Sequence, residues 1–350
     1  MSTNHAIVVQ EPGRAEKAEC SIPKLRDDYI LIRVKAVALN PTDWKHVDFL
    51  TSAGARIGCD YSGIVEEVGS KVTNGLKKGD CVAGFAHGGN EVNHEDGSFG
   101  EYITARGDIQ IKVPDNLSFE EAATLGVGIT TVGQGLYQSL QLPWPTEPAS
   151  KPFPLLIYGG STATGSLAIQ FAKLSGLQVI TTCSPHNFDY VKSLGADKVF
   201  DYNSPTCSED IKQFTNNSLA HAFDCVSEGD STKITVSALS DNGGAYSALL
   251  PVSAEAVAEI NPKVQKKMTL GYTVVGESFT FGDSEWKARP EDFEFGKKFW
   301  AVARDLLATG AVKVHKISLN KYGESFDGIL KGMEAMKAGK VSGEKLVFTL

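Results

Sequence analysis

The spacing of apolar positions changes partway along this chain. In the first part they fall in short runs punctuated by Gly and Asp: residues 30–37 (ILIRVKAV, alternating), 63–68, 80–83 and 102–104. Period-two runs bounded by turn formers predict strands of a compact β-rich domain. Residues 114–123 (PDNLSFEEAA) then place Glu121 three positions after Ser118. At that spacing a hydroxyl and a carboxylate satisfy each other's backbone donors at a helix start. A helical stretch is expected from there to Leu140, interrupted near Gly126 and Gly128. Five prolines within residues 143–154 exclude a regular element and predict an exposed loop.

From residue 155 the period is different. The stretch 155–176, LLIYGGSTATGSLAIQFAKLSG, opens on an apolar run, breaks at Gly159-Gly160, and continues with Leu167, Ile169, Phe171, Ala172 and Leu174 at mostly helical spacing. It predicts a buried strand, a tight turn and a helix. A second such unit follows: strand 177–182 (LQVITT), turn 183–187, and helix 188–194 closed by Gly195. Further strands are expected at 198–201, 222–226, 245–249 and 270–275, with helices at 208–214 and 231–239. This alternation predicts an α/β fold with a doubly wound parallel sheet of the Rossmann type. Beyond it, 277–290 reads as loop, 293–307 and 326–338 as amphipathic helices, and 345–350 as a terminal strand.

The first strand–turn–helix unit carries candidate chemistry. Such a turn aims unpaired helix N–H groups past the strand's carboxyl end, where a pyrophosphate is the natural occupant. The match to G-x-G-x-x-G is imperfect, because Gly160 and Gly165 hold the outer positions and Thr162 the middle one. A Cβ there crowds the closest phosphate approach, while the hydroxyls of Ser161, Thr162 and Thr164 offer donors instead. Taken alone, the motif equally fits a Gly-rich turn in any α/β protein. The second strand adds discrimination. A binder of NAD usually ends it in Asp or Glu, yet no carboxylate lies between Gly176 and Asp189. Ser184, His186 and Asn187 can donate to a 2′-phosphate, which favours NADPH over NADH. Ser184-Pro185 can also cap the next helix, and no Arg or Lys occupies the turn.

Composition narrows the classes. With 34 basic and 42 acidic residues the net charge is −8, so no electrostatic footprint for nucleic acid exists. No signal-peptide pattern and no span of about 20 apolar residues is present, and the chain reads as a cytoplasmic protein without a membrane segment. Asn116 and Asn216 match the glycosylation pattern, which carries meaning only with secretion. The six cysteines (20, 59, 81, 183, 207 and 225) are scattered without a C-x-x-C, against a disulfide scaffold or a clustered zinc site.

Several segments together resemble the medium-chain dehydrogenase/reductase superfamily: Asn40-Pro41-Thr42-Asp43, residues 58–69 (GCDYSGIVEEVG), Gly79-Asp80, 97–102 (GSFGEY), the PDNLSFEEAATL segment, and 193–202 (SLGADKVFDY). They occur in the superfamily's order. The resemblance implies a β-rich, GroES-like catalytic domain from residues 1–125 with 283–350, and a Rossmann NADPH-binding domain over 126–282. Zinc alcohol dehydrogenases of that superfamily place a Cys near the first segment and Gly-His-Glu in the second. Here Asn40-Pro41-Thr42-Asp43 and Gly58-Cys59-Asp60 stand there, and the four-cysteine lobe is missing. Thiolate and imidazole are the ligands a tetrahedral Zn²⁺ requires, so no metal is expected. A zinc-free member suits reduction of an activated C=C bond, in which hydride adds β to a carbonyl and charge accumulates on the oxygen as an enolate.

More closely, NPTDWK (40–45), YGGSTATG (158–165), CSPHNFD (183–189) and SGEKLV (342–347) resemble the trans-acting enoyl reductases that partner fungal polyketide synthases. That resemblance implies NADPH contacts at Thr42, Asp43, Trp44, Lys45, Ser161, Thr162, Ala163, Thr164, Ser184, Pro185, His186, Asn187, Tyr202, Leu249, Leu250, Val341 and Ser342. It implies substrate contacts at Val132, Gly133, Gln134, Gly135, Leu136, Tyr137, Gln138, Ser139, Gly271, Tyr272, Thr273, Val274 and Val275. Leu250 departs from the pattern, since an amide side chain there could bind polar cofactor atoms and leucine offers only backbone. Lys45 is the candidate catalytic residue, a charged group favouring an anionic enolate; the other reading is a solvated surface lysine. Thr131 could donate a hydroxyl or cap a helix, and Tyr202 could meet the nucleotide or be a plain edge-strand aromatic. His46, His87, His94 and His315 read as surface residues.

The leading expectation is an NADPH-dependent enoyl reductase acting in polyketide biosynthesis on a carrier-bound chain. A quinone or alkenal reductase using free small molecules is the rival of the same chemistry. A nucleotide-binding scaffold or sensor without turnover is the rival of another class, motivated by Thr162. The polar, aromatic segment after Val275 favours a monomer.

Overall fold

A computed structural model describes residues 3–350. The chain forms two compact units: residues 1–130 with 272–350, and residues 131–271. The first unit is built on strands β1 (Asn4–Glu11), β2 (Arg14–Cys20), β3 (Tyr29–Ala38), β4 (Asp60–Val68), β5 (Cys81–Phe85), β6 (Tyr102–Arg106) and β7 (Gln110–Lys112). Helix α1 (Pro41–Lys45) leaves β3, and α2 (Phe119–Ala122) and α3 (Gly126–Val132) end this part. The hairpin β1–β2 had only its apolar run, residues 6–9, as a sequence signal; the β2 residues (RAEKAEC) are mostly polar and mostly exposed or half-buried. Ser118 and Glu121 form the expected reciprocal cap.

The second unit runs β8 (Pro154–Tyr158), α4 (Ala163–Leu174), β9 (Gln178–Thr182), α5 (Phe188–Ser193), β10 (Lys198–Phe200), α6 (Cys207–Phe214), β11 (His221–Asp224), α7 (Ser231–Ala238), β12 (Gly244–Ala248), α8 (Ala254–Ile260) and β13 (Val264–Met268). All six strands are parallel, in the order β10-β9-β8-β11-β12-β13. The chain reverses direction across the sheet between β8 and β11, the crevice where doubly wound sheets hold ligands. Leu156, Ile180, Ile211, Leu219, Val236 and Val257 pack one face of the unit's core.

One strand was expected in the wrong place. Residues 271–275 form a 3₁₀ turn (Gly271–Val275), and the last strand of the sheet is β13, earlier in the chain. A short apolar run does not distinguish strand from other buried backbone, and β13 (VQKKM) is a polar edge strand with no apolar alternation to betray it.

The chain then completes the first unit. Residues 277–290, read as loop, contain a hairpin, β14 (Phe279–Phe281) with β15 (Ser284–Trp286). Its signal was FTF-GD-SEW, with aromatics alternating around Gly-Asp. Helix α9 (Pro290–Ala308), β16 (Ile317–Leu319), α10 (Ser325–Lys337) and β17 (Lys345–Thr349) follow. Strand β17 pairs with β3 and β16, closing a seven-stranded sheet in the order β16-β17-β3-β4-β5-β7, with β6 also on β3. Phe348 and Leu346 from β17 and Phe326 and Ile329 from α10 bury against Ile32, Val65 and Ile103. Each such side chain contributes about 1.5–3 kcal/mol.

Lys345, the first residue of β17, is 3 % exposed and lies 2.8 Å from Oδ2 of Asp60, which is fully buried at the start of β4. Its ammonium also donates to Asn40 Oδ1, and Asp60 Oδ1 accepts from the Val127 N–H at 2.6 Å. Removing one partner strands a buried charge. Lys345→Met is expected to destabilise the protein by about 3–5 kcal/mol; equilibrium urea unfolding measures this, and a loss below about 1 kcal/mol would refute the pair's role.

Candidate functional site

The second unit presents the diphosphate-type turn. Thr162 caps α4, its Oγ1 accepting from the Gly165 N–H at 2.9 Å and donating to the Gly159 carbonyl at 2.8 Å. Thr162 is thus consumed by the turn itself and does not face outward as a phosphate donor. The N–H groups of Ser161, Ala163 and Thr164 find no acceptor among the described residues. These orphan donors, at the positive end of a twelve-residue helix, fit an anionic phosphate group. Gly165 permits the approach: a Cβ there would stand 2.2 Å from the Gly159 carbonyl oxygen.

Near the end of β9 lie the three residues expected at a 2′-phosphate, Ser184, His186 and Asn187, together with Tyr202. Ser184 and Tyr202 hydroxyls are 3.0 Å apart, and Asn187 Nδ2 lies 3.2 Å from His186 Nε2. Pro185 opens a short 3₁₀ turn (Pro185–Asn187), and the Tyr202 ring stands 6.1 Å from Tyr158. Hydroxyl, amide and imidazole groups converge there, the donor set a phosphate monoester needs. Leu249 and Leu250 follow β12, Leu249 donating its N–H to Ser227 Oγ at 2.8 Å.

Of the residues expected along the substrate in this unit, Val132 ends α3 and Gly133–Ser139 forms a π-helix. Gly135 packs on the Phe223 ring, Leu136 is buried, and the Tyr137 hydroxyl meets Ser175 Oγ at 3.0 Å. Ser139 Oγ pairs with Ser247 Oγ at 2.8 Å; Gln134 and Thr131 are buried, and Gln138 is half-buried. Gly271 opens the 3₁₀ turn.

The first unit holds a buried polar cluster around α1. Asp43 is 1 % exposed; its Oδ2 accepts the Asn40 N–H at 2.6 Å and its Oδ1 has no partner. Burial, with Asp60 nearby, pushes its carboxyl up to about 8 despite Lys345 and that N–H. Thr42 Oγ1 lies 2.7 Å from the Tyr272 hydroxyl, which is 3.3 Å from Cys59 Sγ. The Tyr272 ring is enclosed by Phe85, His46, His87, Phe279 and Phe281. Thr273, Val274 and Val275 continue from it as buried residues. Trp44 is partly buried, and Lys45 extends over its ring with Nζ 5.6 Å from the centroid. Val341 packs on the core and Ser342 is exposed on the connection into β17.

Three histidines read as surface residues are instead buried: His46, His87 and His315; only His94 is not. His46 Nδ1 lies 2.8 Å from the Thr42 carbonyl, so that nitrogen carries the proton, and burial holds the ring down at about 4. Burial likewise depresses His87 well below, and His315 to about 4. The burial of His46 and His87 had no local signal, because it comes from the aromatic hairpin β14–β15, far along the chain, whose Phe279 and Phe281 pack on their rings.

The donor set here does not make a zinc shell. Asp60 is committed to Lys345, the Cys59 thiol is pushed well up by burial and shared with Tyr272, and both His46 and His87 leave Nε2 without a partner. No group of three metal-competent side chains occurs among the described residues. Burial also raises other thiols, Cys183 to about 12, Cys207 to about 11 and the half-buried Cys225 well above its usual value. No helix of the described residues is long and apolar enough to cross a membrane.

Comparison with known proteins completes the picture. Residues 26–115 match the alcohol dehydrogenase GroES-like domain and residues 163–288 the zinc-binding dehydrogenase family. The chain is 56% identical to "Trans-enoyl reductase TOXD" of Cochliobolus carbonum over 85% of this chain and 99% of that one. It is 48% identical to "Trans-enoyl reductase ACTTS2" of Alternaria alternata over the whole of both. Among solved structures, the quinone oxidoreductase of Coxiella burnetii superposes with a TM-score of 0.74 at 25% identity over the whole of both chains. The CurK enoyl reductase superposes with a TM-score of 0.78 at 19% identity over 99% of each, a likeness of fold.

The opposed shifts of Asp43 and His46 have opposite signatures in stability. His46 refuses a proton when folded, so stability relative to His46→Asn is expected to fall as pH drops from about 6.5 to about 4. Asp43 keeps its proton when folded, so stability relative to Asp43→Asn should fall as pH rises from about 4 to about 8. Urea unfolding across this range tests both; difference curves flat with pH would contradict the burial argument.

Proposed function

The chain belongs to the trans-enoyl reductases of the zinc-independent medium-chain dehydrogenase/reductase superfamily and is an NADPH-dependent oxidoreductase, and from this premise we propose that it reduces the α,β-unsaturated thioester of a chain carried by a polyketide synthase. The observation that carries the cofactor half of this reading is the pairing of diphosphate donors at the start of α4 with a carboxylate-free set of donors at the end of β9. Ser161, Ala163 and Thr164 hold the diphosphate through backbone, with Thr162 shaping the turn. Ser184, Pro185, His186, Asn187 and Tyr202 surround the adenosine phosphate. Leu249 and Leu250 contribute backbone; within the first unit, the resemblance to the trans-enoyl reductases assigns cofactor contacts to Thr42, Asp43, Trp44, Lys45, Val341 and Ser342.

NADPH, when bound, supplies the hydride that adds to the β carbon. Charge then grows on the thioester oxygen, and a proton must reach the α carbon. Lys45 supplies positive charge for that oxygen. The same resemblance assigns substrate contacts to residues 132–139 and to Gly271–Val275. Stabilisation of that charge falls to hydrogen-bond donors and this ammonium. The polar edge strand β13, with Gln265 and Lys266 exposed, discourages edge-to-edge pairing and supports a monomer.

Loss of NADPH absorbance with enoyl pantetheine thioesters is the direct assay, and turnover of quinones alone would defeat the reading. Lys45→Ala is expected to lower kcat by about tenfold or more while the melting temperature holds; an unchanged kcat would return Lys45 to the solvated surface. Sedimentation should give a monomer, and a stable dimer would overturn that part.

A further inference from the structure

Three strand ends meet in the second unit at the point where the sheet's connectivity reverses. Cys225 N–H donates to the Tyr158 carbonyl at 3.1 Å, joining the ends of β8 and β11. Val226 packs against the turn after β8, its Cγ2 standing 2.7 Å from where a Cβ on Gly159 would fall. The next residue, Ser227, is buried and holds φ at +58°, a left-handed conformation that side chains other than Gly, Asn and Asp seldom adopt.

Something must hold Ser227 there. Its N–H donates to Asp224 Oδ1 at 2.8 Å and its hydroxyl donates to the Asp224 carbonyl at 3.1 Å. Asp224 is itself fixed by Val226 N–H, Ser231 Oγ and the Tyr246 hydroxyl, at 2.9, 2.7 and 2.8 Å. So anchored, Ser227 Oγ accepts the Leu249 N–H at 2.8 Å. A glycine would satisfy the backbone without strain. The hydroxyl's distinct contribution is to tie the loop after β12 to the turn after β11.

We infer that Ser227 is a positioning residue for the coenzyme: its hydroxyl fixes the backbone at Leu249 after β12, while Val226 braces the diphosphate turn after β8. The inference rests on the cofactor reading above. Leu250 offers no amide side chain, and Ser227 orders the backbone that leads into it at Leu249.

Strain and function predict opposite outcomes at this residue, which gives the test. Ser227→Gly relieves the left-handed strain and deletes the hydroxyl. Its melting temperature is expected to match or exceed that of the parent, while the Kd for NADPH, by fluorescence titration, rises about tenfold. The KM for NADPH should rise with it, and the KM for the enoyl thioester should stay put. Ser227→Ala, which keeps the strain, should show the same kinetic loss with a lower melting temperature. Unchanged NADPH affinity in both variants, with a parent that binds NADPH, would overturn this inference alone. A parent that fails to bind NADPH would overturn the cofactor reading and this inference together.

Discussion

The first unit depends on an ammonium and a carboxylate held together out of water. Lys345 enters near the end of the chain and meets Asp60 at the start of β4, so the last strand is secured by charge as well as by its hydrogen bonds to β3. Such a pair is tolerable only because the remaining valences are used: Asn40 takes another ammonium proton and the Val127 N–H takes the second carboxylate oxygen. Those same partners fix the start of α1 and of α3. The elements that carry Thr42, Asp43 and Lys45 are therefore positioned by an interaction whose two ends lie far apart in sequence.

Charge balance around that pair explains the rest of the cluster. One positive group serves a pocket with two acidic side chains, Asp60 and Asp43, and the second acid stays protonated near neutrality. Burial keeps His46 and His87 neutral, packed as aromatic rings against Tyr272. The space beside α1 is filled by a phenol, a thiol and aromatic rings.

Much of this was legible in the sequence where the signal was local. Ser118 and Glu121 announced their reciprocal cap, and Gly159-Gly160 marked the turn before α4. The alternation of strands and helices gave the wound sheet, and the missing carboxylate at the end of β9 was visible as a gap. What could not be read was set by distance. The partner of Asp60 is 285 positions away. The burial of His46 depends on a hairpin beginning at Phe279. β13 was missed because a charged edge strand has no alternating pattern, and the apolar run beside it proved to be a 3₁₀ turn. Thr162 was expected among the phosphate donors, but its hydroxyl is spent on Gly159 and Gly165.

The state of the sulfurs has a chemical consequence. A conjugated thioester is a Michael acceptor, and any thiolate beside it would add across the double bond and end as a dead covalent adduct. Nucleophilic attack requires the anion. In this protein Cys59, Cys183, Cys207 and Cys225 are kept in the proton-bearing form by burial, with neighbouring acidic side chains adding to it. At these four positions a conjugated electrophile would meet a thiol rather than a thiolate.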